Sequence, residues 1–221
     1  MLKKRLEAII NMIASNSIVA DVGCDHGLLV CELVKRNIIS KAYAMDINEK
    51  PLAQAKRSII EYDLENNIEV ILSNGLNNLP DDANTLVIAG MGYETCKIIL
   101  ENDFNKIKQF NQIIIQVNRD VDKLRQWISN NNFTIIDEEI IYDKHYYQII
   151  VFNTNTHDNY SNQDIKFGPI LKHKQSLIFK EYYNKQLSKL NITLSKVTTK
   201  LKQDTIKETI NQINEVLYKH S

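Results

Sequence analysis

The chain has 221 residues, 43% of them hydrophobic, with 27 basic and 27 acidic side chains. That length supports one well-buried core with a small appendage, and three cysteines (Cys24, Cys31 and Cys96), an odd number, argue against a disulfide framework. The zero net charge is unevenly spread: residues 160–221 hold 11 Lys against 5 Asp or Glu, a balance of +6, so the first 159 residues carry −6.

The opening stretch MLKKRLEAIINMIASNS reads as a helix over about 2–14, with neither the apolar core nor the small-residue cleavage site of a signal segment. No apolar run approaches the roughly 20 residues of a membrane span, so a cytoplasmic protein with no membrane partner is expected. Seven Ile- and Val-rich runs then predict strands at 17–22, 42–47, 68–72, 85–90, 112–117, 134–142 and 146–152. Helical patterns at about 27–37, 49–65, 93–100 and 120–131 lie between them. The link DKH between the last two strands is too short for a crossover helix, so those strands must form an antiparallel hairpin. The fold expected is α/β: a Rossmann-like seven-stranded sheet in the class I methyltransferase order, where an NAD-type sheet would continue with a parallel sixth strand. Arg125 and Trp127, on the helix before strand six, read as packing residues, with Trp127 facing the sheet.

The polar NTNTHDNYSNQD stretch after Phe152 reads as a linker, dividing a catalytic domain at 1–153 from a basic helical element at 154–221, with the core ending near Phe152. Gly168-Pro169 reads as a turn. Leu187, Leu190, Leu194, Val197 and Leu201 keep the spacing of a coiled-coil seam, which Ile206, Ile210, Ile213 and Leu217 resume after a slip. Two antiparallel helices over about 167–198 and 200–219 would use both seams, with the break near 198–205. Packing of the leucine stripe onto the domain, rather than an oligomer interface, is favoured, so the chain is expected to be a monomer. The basic tail points to an anionic partner, although solvated helix faces are the commoner reason for lysines.

In such a sheet, ligands bind outside the carboxyl ends of the strands where the strand order reverses. Strand one runs there into ADVGCDHG, in which Gly23 lets the backbone turn closely under a ligand. Strand two ends in Asp46, about 20 residues further on, where a carboxylate accepts from a ribose diol. Both NAD and S-adenosylmethionine carry such a diol. The acids Asp21 and Asp25 would repel a diphosphate but suit a sulfonium and an ammonium, so charge favours S-adenosylmethionine. Asn74 and Gly75, after strand three, can approach an adenine ring. In AGMG, Gly90 and Gly92 bracket Met91, so the backbone can pass near the transferable methyl group. The D/N-P-P-Y motif common in enzymes that methylate exocyclic nitrogens is absent. No metal is expected, because the C-x-H-x4-C spacing of Cys24, His26 and Cys31 matches no common zinc pattern.

IVADVGCDHGLL, SNGL, VIAGMGYETCKIIL and IIIQVN together resemble the bacterial tRNA (adenine(22)-N1)-methyltransferase family, whose members read close to I-A-D-I-G-S-D-H-A-Y-L, G-D-G-L, I-A-G-M-G-G and L-Q-P-N in the same order. The resemblance covers about 2–152, and the basic helical tail fits the family's C-terminal coiled-coil element. Cys24 stands for a usual Ser, Asn74 for Asp, Tyr93 for the second Gly and Val117 for Pro. The resemblance implies methyl transfer from S-adenosylmethionine to N1 of an adenine in the D-arm region of tRNA. N1 lies on the Watson–Crick edge, so the base must be unpaired or extruded, and its lone pair needs no prior deprotonation.

The candidate set is then Asp21, Gly23, Cys24, Asp46, Ile47, Asn74, Gly75 and Gly90 for the cofactor, and Asp25, His26, Met91 and Asn118 for the reaction. Tyr93 would stack on the extruded base, and Lys3, Lys4, Arg5, Lys172 and Lys174 would meet tRNA phosphates. Competing readings are an NAD-type redox protein, which would need the missing G-x-G-x-x-G loop, a methyltransferase acting on a small molecule or protein, and a non-catalytic RNA-binding module.

Overall fold

A computed structural model describes residues 3–156 and 158–218. Residues 2 and 219, included above in the first and last helices, lie outside the described residues. The amphipathic first helix, α1 (Lys4–Met12), buries Ile9 and Ile10. The strands β1 (Ile18–Val22), β2 (Lys41–Asp46), β3 (Ile68–Leu72), β4 (Thr85–Met91), β5 (Gln112–Val117), β6 (Thr134–Asp143) and β7 (His145–Asn153) fall within one residue of the apolar runs at each end. Between them lie α2 (Leu28–Lys35), α3 (Glu49–Glu61), α4 (Tyr93–Asn102) and α5 (Val121–Asn130).

The seven strands form one sheet in the order β3-β2-β1-β4-β5-β7-β6. The first five are parallel, and β7 runs antiparallel between β5 and β6. Lys144, at φ 60°, turns the chain between β6 and β7, the hairpin that the short link required. Alternation along β5 shows why its run is apolar throughout: Ile114 packs with Ile9, Leu33 and Ala55 on one face, Ile113 and Ile115 with Leu100, Leu124 and Trp127 on the other. Each such side chain, fully buried, contributes about 1.5–3 kcal/mol relative to exposure.

The tail is more broken than the seam spacing predicted. In place of one helix over 167–198 there are α6 (Asn162–Phe167), α7 (Leu171–Lys174) and α8 (Leu177–Leu194), followed by α9 (Lys200–Tyr218). Pro169 has no N–H to continue α6, and Gln175, at φ 42°, ends α7 before the Ser176 hydroxyl caps α8 by accepting from Phe179 N. The break between the two long helices falls at 195–199, just ahead of the expected place. The base of this hairpin forms a core of its own around Ile140 of β6, with Phe167, Phe179, Tyr183, Ile213 and Leu217. Its far end is open, and Leu201 is 76% exposed.

Beyond Phe152 the chain also takes part in the packing of Arg125. Its guanidinium is fully buried and pairs with the equally buried Glu138, Nε to Oε1 at 2.7 Å, while Nη2 donates to Gln148 Oε1 at 2.6 Å. The other Glu138 oxygen accepts from Ile170 N and Leu171 N, and Arg125 Nη1 donates to the carbonyl of Ile165. Residues 165–171 therefore roof a buried charge pair of the sheet. Trp127 packs as expected, edge-on to Phe152 and Phe133.

Candidate active site

The strand order reverses between β1 and β4, and there the loops at the carboxyl ends of the strands enclose a cavity of about 630 Å³. Asp21, Gly23, Cys24, Asp25, His26, Asp46, Ile47, Asn74, Gly75, Gly90 and Met91 all line it, as do Lys3 and Arg5 from the start of α1. Lys4, Tyr93 and Asn118 are outside the lining. Tyr93 opens α4 and packs half-buried against the core, whereas Asn118 is exposed beside the wall, its Nδ2 donating to Gly90 O at 2.6 Å. Lys172 and Lys174 are remote, paired with Asp164 at 2.7 Å and Asp137 at 2.6 Å.

The loop after β1 has left-handed backbone at Gly23, Asp25 and Gly27. A Cβ on Gly23 would overlap only the Met91 methyl, the movable end of a flexible side chain, so it is the left-handed backbone at φ 80° that calls for glycine here. Asp25 takes the left-handed conformation at φ 50°, one that Asp tolerates better than most residues. The acid thus occupies a glycine-like turn and stands 74% exposed at the cavity mouth, with His26 Nε2 3.5 Å from its Oδ1.

Deeper in, the carboxylates differ. Asp46 Oδ1 accepts from Asn48 N at 2.9 Å and Asn48 Nδ2 at 3.3 Å, and its Oδ2 makes no hydrogen bond with the described residues. Asp21 is 5% exposed, and no side-chain hydrogen bond of its carboxylate is found among the described residues. Burial first, then the charges of Asp46 and Asp25, push it up to about 7. A cation in the cavity would remove that penalty. Burial, reinforced by Asp21 and Asp46, also pushes the Cys24 thiol up and keeps it neutral. No cluster of three metal-ligating side chains occurs among the described residues.

Several lining residues were not anticipated. Leu28 and Ile98 are exposed yet face the cavity and, with the expected Ile47, give a flat ligand an apolar seat. Ser73 holds the β3 loop by donating to Gly75 O at 3.0 Å and accepting from Asn78 N at 3.1 Å. Gln116 lies outside the lining, fully buried beside Asn118, and was also missed, although a buried polar residue inside QIIIQV must find partners.

The sequence profile of the tRNA (adenine(22)-N(1))-methyltransferase family matches residues 19–219. A Bacillus subtilis tRNA (adenine(22)-N(1))-methyltransferase is 28% identical over 193 residues, 84% of this chain and 81% of that protein. The M. capricolum TrmK structure in complex with S-adenosyl-homocysteine is 34% identical, covers 98% of each chain and superposes with a TM-score of 0.85. Streptococcus pneumoniae Sp1610 in complex with S-adenosyl-L-methionine is 31% identical, covering 99% of this chain and 100% of that one, with a TM-score of 0.89. The acid-lined cavity, the sheet order and this full-length similarity converge: the chain belongs to the tRNA (adenine(22)-N(1))-methyltransferase family.

Proposed function

We propose that the protein methylates N1 of an adenine of tRNA, position 22 in the D-arm region, from S-adenosylmethionine. The observation that carries the cofactor assignment is Asp21, a buried carboxylate beside Asp46 in a cavity of about 630 Å³. An acid pair of this kind suits a cationic ligand with a ribose and would repel a diphosphate. When bound, S-adenosylmethionine supplies an electrophilic sulfonium methyl group.

The chain's own residues bind and orient. Asp46 Oδ2 accepts from the ribose diol, Asp21 balances the ammonium, and Ile47 with Asn74 and Gly75 borders the adenine ring. Gly23 and Met91 set the wall nearest the methyl group. Asp25 and His26, at the mouth, face the incoming base, and the carboxylate favours the cationic methylated product. The neutral N1 attacks with its own lone pair, so no side chain has to remove a proton first. Holding the two reactants in near-attack geometry is the main task. Lys3 and Arg5 stand at the rim for flanking phosphates, and the exposed Lys180, Lys185 and Lys189 of α8 extend a basic track along the tail. Leu187, Leu190, Ile213 and Leu217 pack within the chain, which supports a monomer.

Asp21 yields a pH test. A carboxyl raised to about 7 in the folded protein, from an unfolded value of about 3.9, contributes stability at low pH that is lost as pH rises through 7. Cofactor binding favours the ionised form and runs the other way. Affinity for S-adenosylmethionine is therefore expected to rise roughly tenfold from pH 5.5 to 7.5 in calorimetric titration, and Asp21→Asn should flatten the profile. A flat wild-type profile would remove Asp21 from the cofactor site.

A further inference from the structure

The register of β4 against β5 shifts between Ala89, which pairs with Gln116, and Met91, which pairs with Val117. Gly90 is the extra residue of this bulge, at φ 83°, and its main-chain groups leave the ladder. Two side chains of β5 and its exit loop take them up. Gly90 N donates to Gln116 Oε1 at 3.1 Å, Gln116 Nε2 donates to Asn118 Oδ1 at 3.4 Å, and Asn118 Nδ2 donates back to Gly90 O at 2.6 Å. Arg5 Nη1 also donates to Gln116 Oε1, at 3.2 Å, with its guanidinium over the Tyr147 ring.

This closed ring permits one orientation of each amide. A main-chain N–H and a guanidinium can only donate, so the Gln116 atom that meets them is oxygen. Its nitrogen then requires an acceptor, which is Asn118 Oδ1, and Asn118 Nδ2 requires the carbonyl of Gly90. Gln116 is fully buried, whereas Asn118 is exposed and hydrogen-bonded to Gly90, a residue of the cavity wall. Asn118 Oδ1 accepts one bond in the ring and keeps a lone pair for a ligand. A fixed acceptor there suits a base that carries an amine and opposes one that carries a carbonyl at the same position. Adenine has its 6-amino group where guanine has O6. An acceptor engaging the amine from the N7 side leaves the N1 lone pair uncovered for methylation.

We propose that Asn118 reads the 6-amino group of the target adenine, and that Gln116 is a positioning residue that fixes the polarity of the Asn118 amide. The inference rests on the adenine-N1 reading and adds the group by which the base is recognised. It predicts a hydrogen bond that a purine lacking the 6-amino group cannot make.

The test compares methyl transfer to two synthetic tRNAs, one with adenine at the target and one with unsubstituted purine, which keeps N1 and loses the amine. The ratio of kcat/KM between them includes the intrinsic difference in N1 reactivity, so the informative quantity is how that ratio changes between proteins. Asn118→Ala should shrink the wild-type preference for adenine by about tenfold. Gln116→Glu, ionised beside Arg5, still accepts from Gly90 N and Arg5 but cannot donate to Asn118, so it should shrink the preference in the same direction, with cofactor affinity held. A merely structural role for Gln116 would slow both substrates equally. An unchanged ratio in Asn118→Ala overturns the amine contact, and an unchanged ratio in Gln116→Glu overturns the positioning role. A wild-type protein that methylates neither tRNA contradicts the function itself, an outcome distinct from an adenine tRNA methylated with no effect of either variant.

Discussion

Asp46→Ala is expected to weaken S-adenosylmethionine binding by about 1.5–3 kcal/mol, roughly tenfold to a hundredfold, the usual size of hydrogen bonds to a charged acceptor. The geometry explains why the loss should be local. Asn48 N and Nδ2 already hold Oδ1, so the carboxylate is set before any ligand arrives, and Oδ2 is the atom left for a ribose. Removing it leaves the Asn48 amide facing water at the start of α3, which costs little. Calorimetric titration of the folded variant, with circular dichroism as the control, checks this. Affinity equal to wild type would mean that the ribose lies elsewhere.

Arg125→Met should have the largest effect on stability, about 3–5 kcal/mol, because it leaves Glu138 charged, buried and without its cation. In a chain of this length that corresponds to a fall in Tm on the order of 10 °C. Adding Glu138→Gln should recover much of the loss. A glutamine carries no charge, yet it still offers an oxygen to Ile170 N and Leu171 N. The double variant is therefore predicted to be more stable than Arg125→Met alone, a non-additivity that denaturant melts would reveal. Two independent, additive losses would show that the pair does not act as a unit. The same network means that cutting the chain at residue 160 would strip the roof from this pair, so a shortened tail should end beyond α7 and remove only the exposed end of the hairpin.

The central sheet and most of the cavity lining were legible because their signals are local. A continuous run such as QIIIQV can satisfy both faces only as an interior strand, and Asp46 stands at the strand end where the fold turns ligands toward it. The departures come from contacts distant in sequence. Arg125 looked like packing because its partner Glu138 and its roof at 165–171 lie on other elements. The leucine spacing of the tail described a seam but not its interruptions, which Pro169 and Gln175 impose through backbone geometry. Lys172 and Lys174 counted as free charge in the sequence, and the fold spends them on Asp164 and Asp137. Gln116 was passed over because its role exists only once the bulge at Gly90 frees a donor and an acceptor.

The most direct measurement is incubation of the purified protein with S-adenosylmethionine and unmodified tRNA, followed by nucleoside mass spectrometry and mapping of the modified position. The account predicts N1-methyladenosine at position 22 in the D-arm region, formed only when both substrates are present. Tight cofactor binding with no methyl transfer to tRNA, or transfer to a nitrogen other than N1, would contradict it.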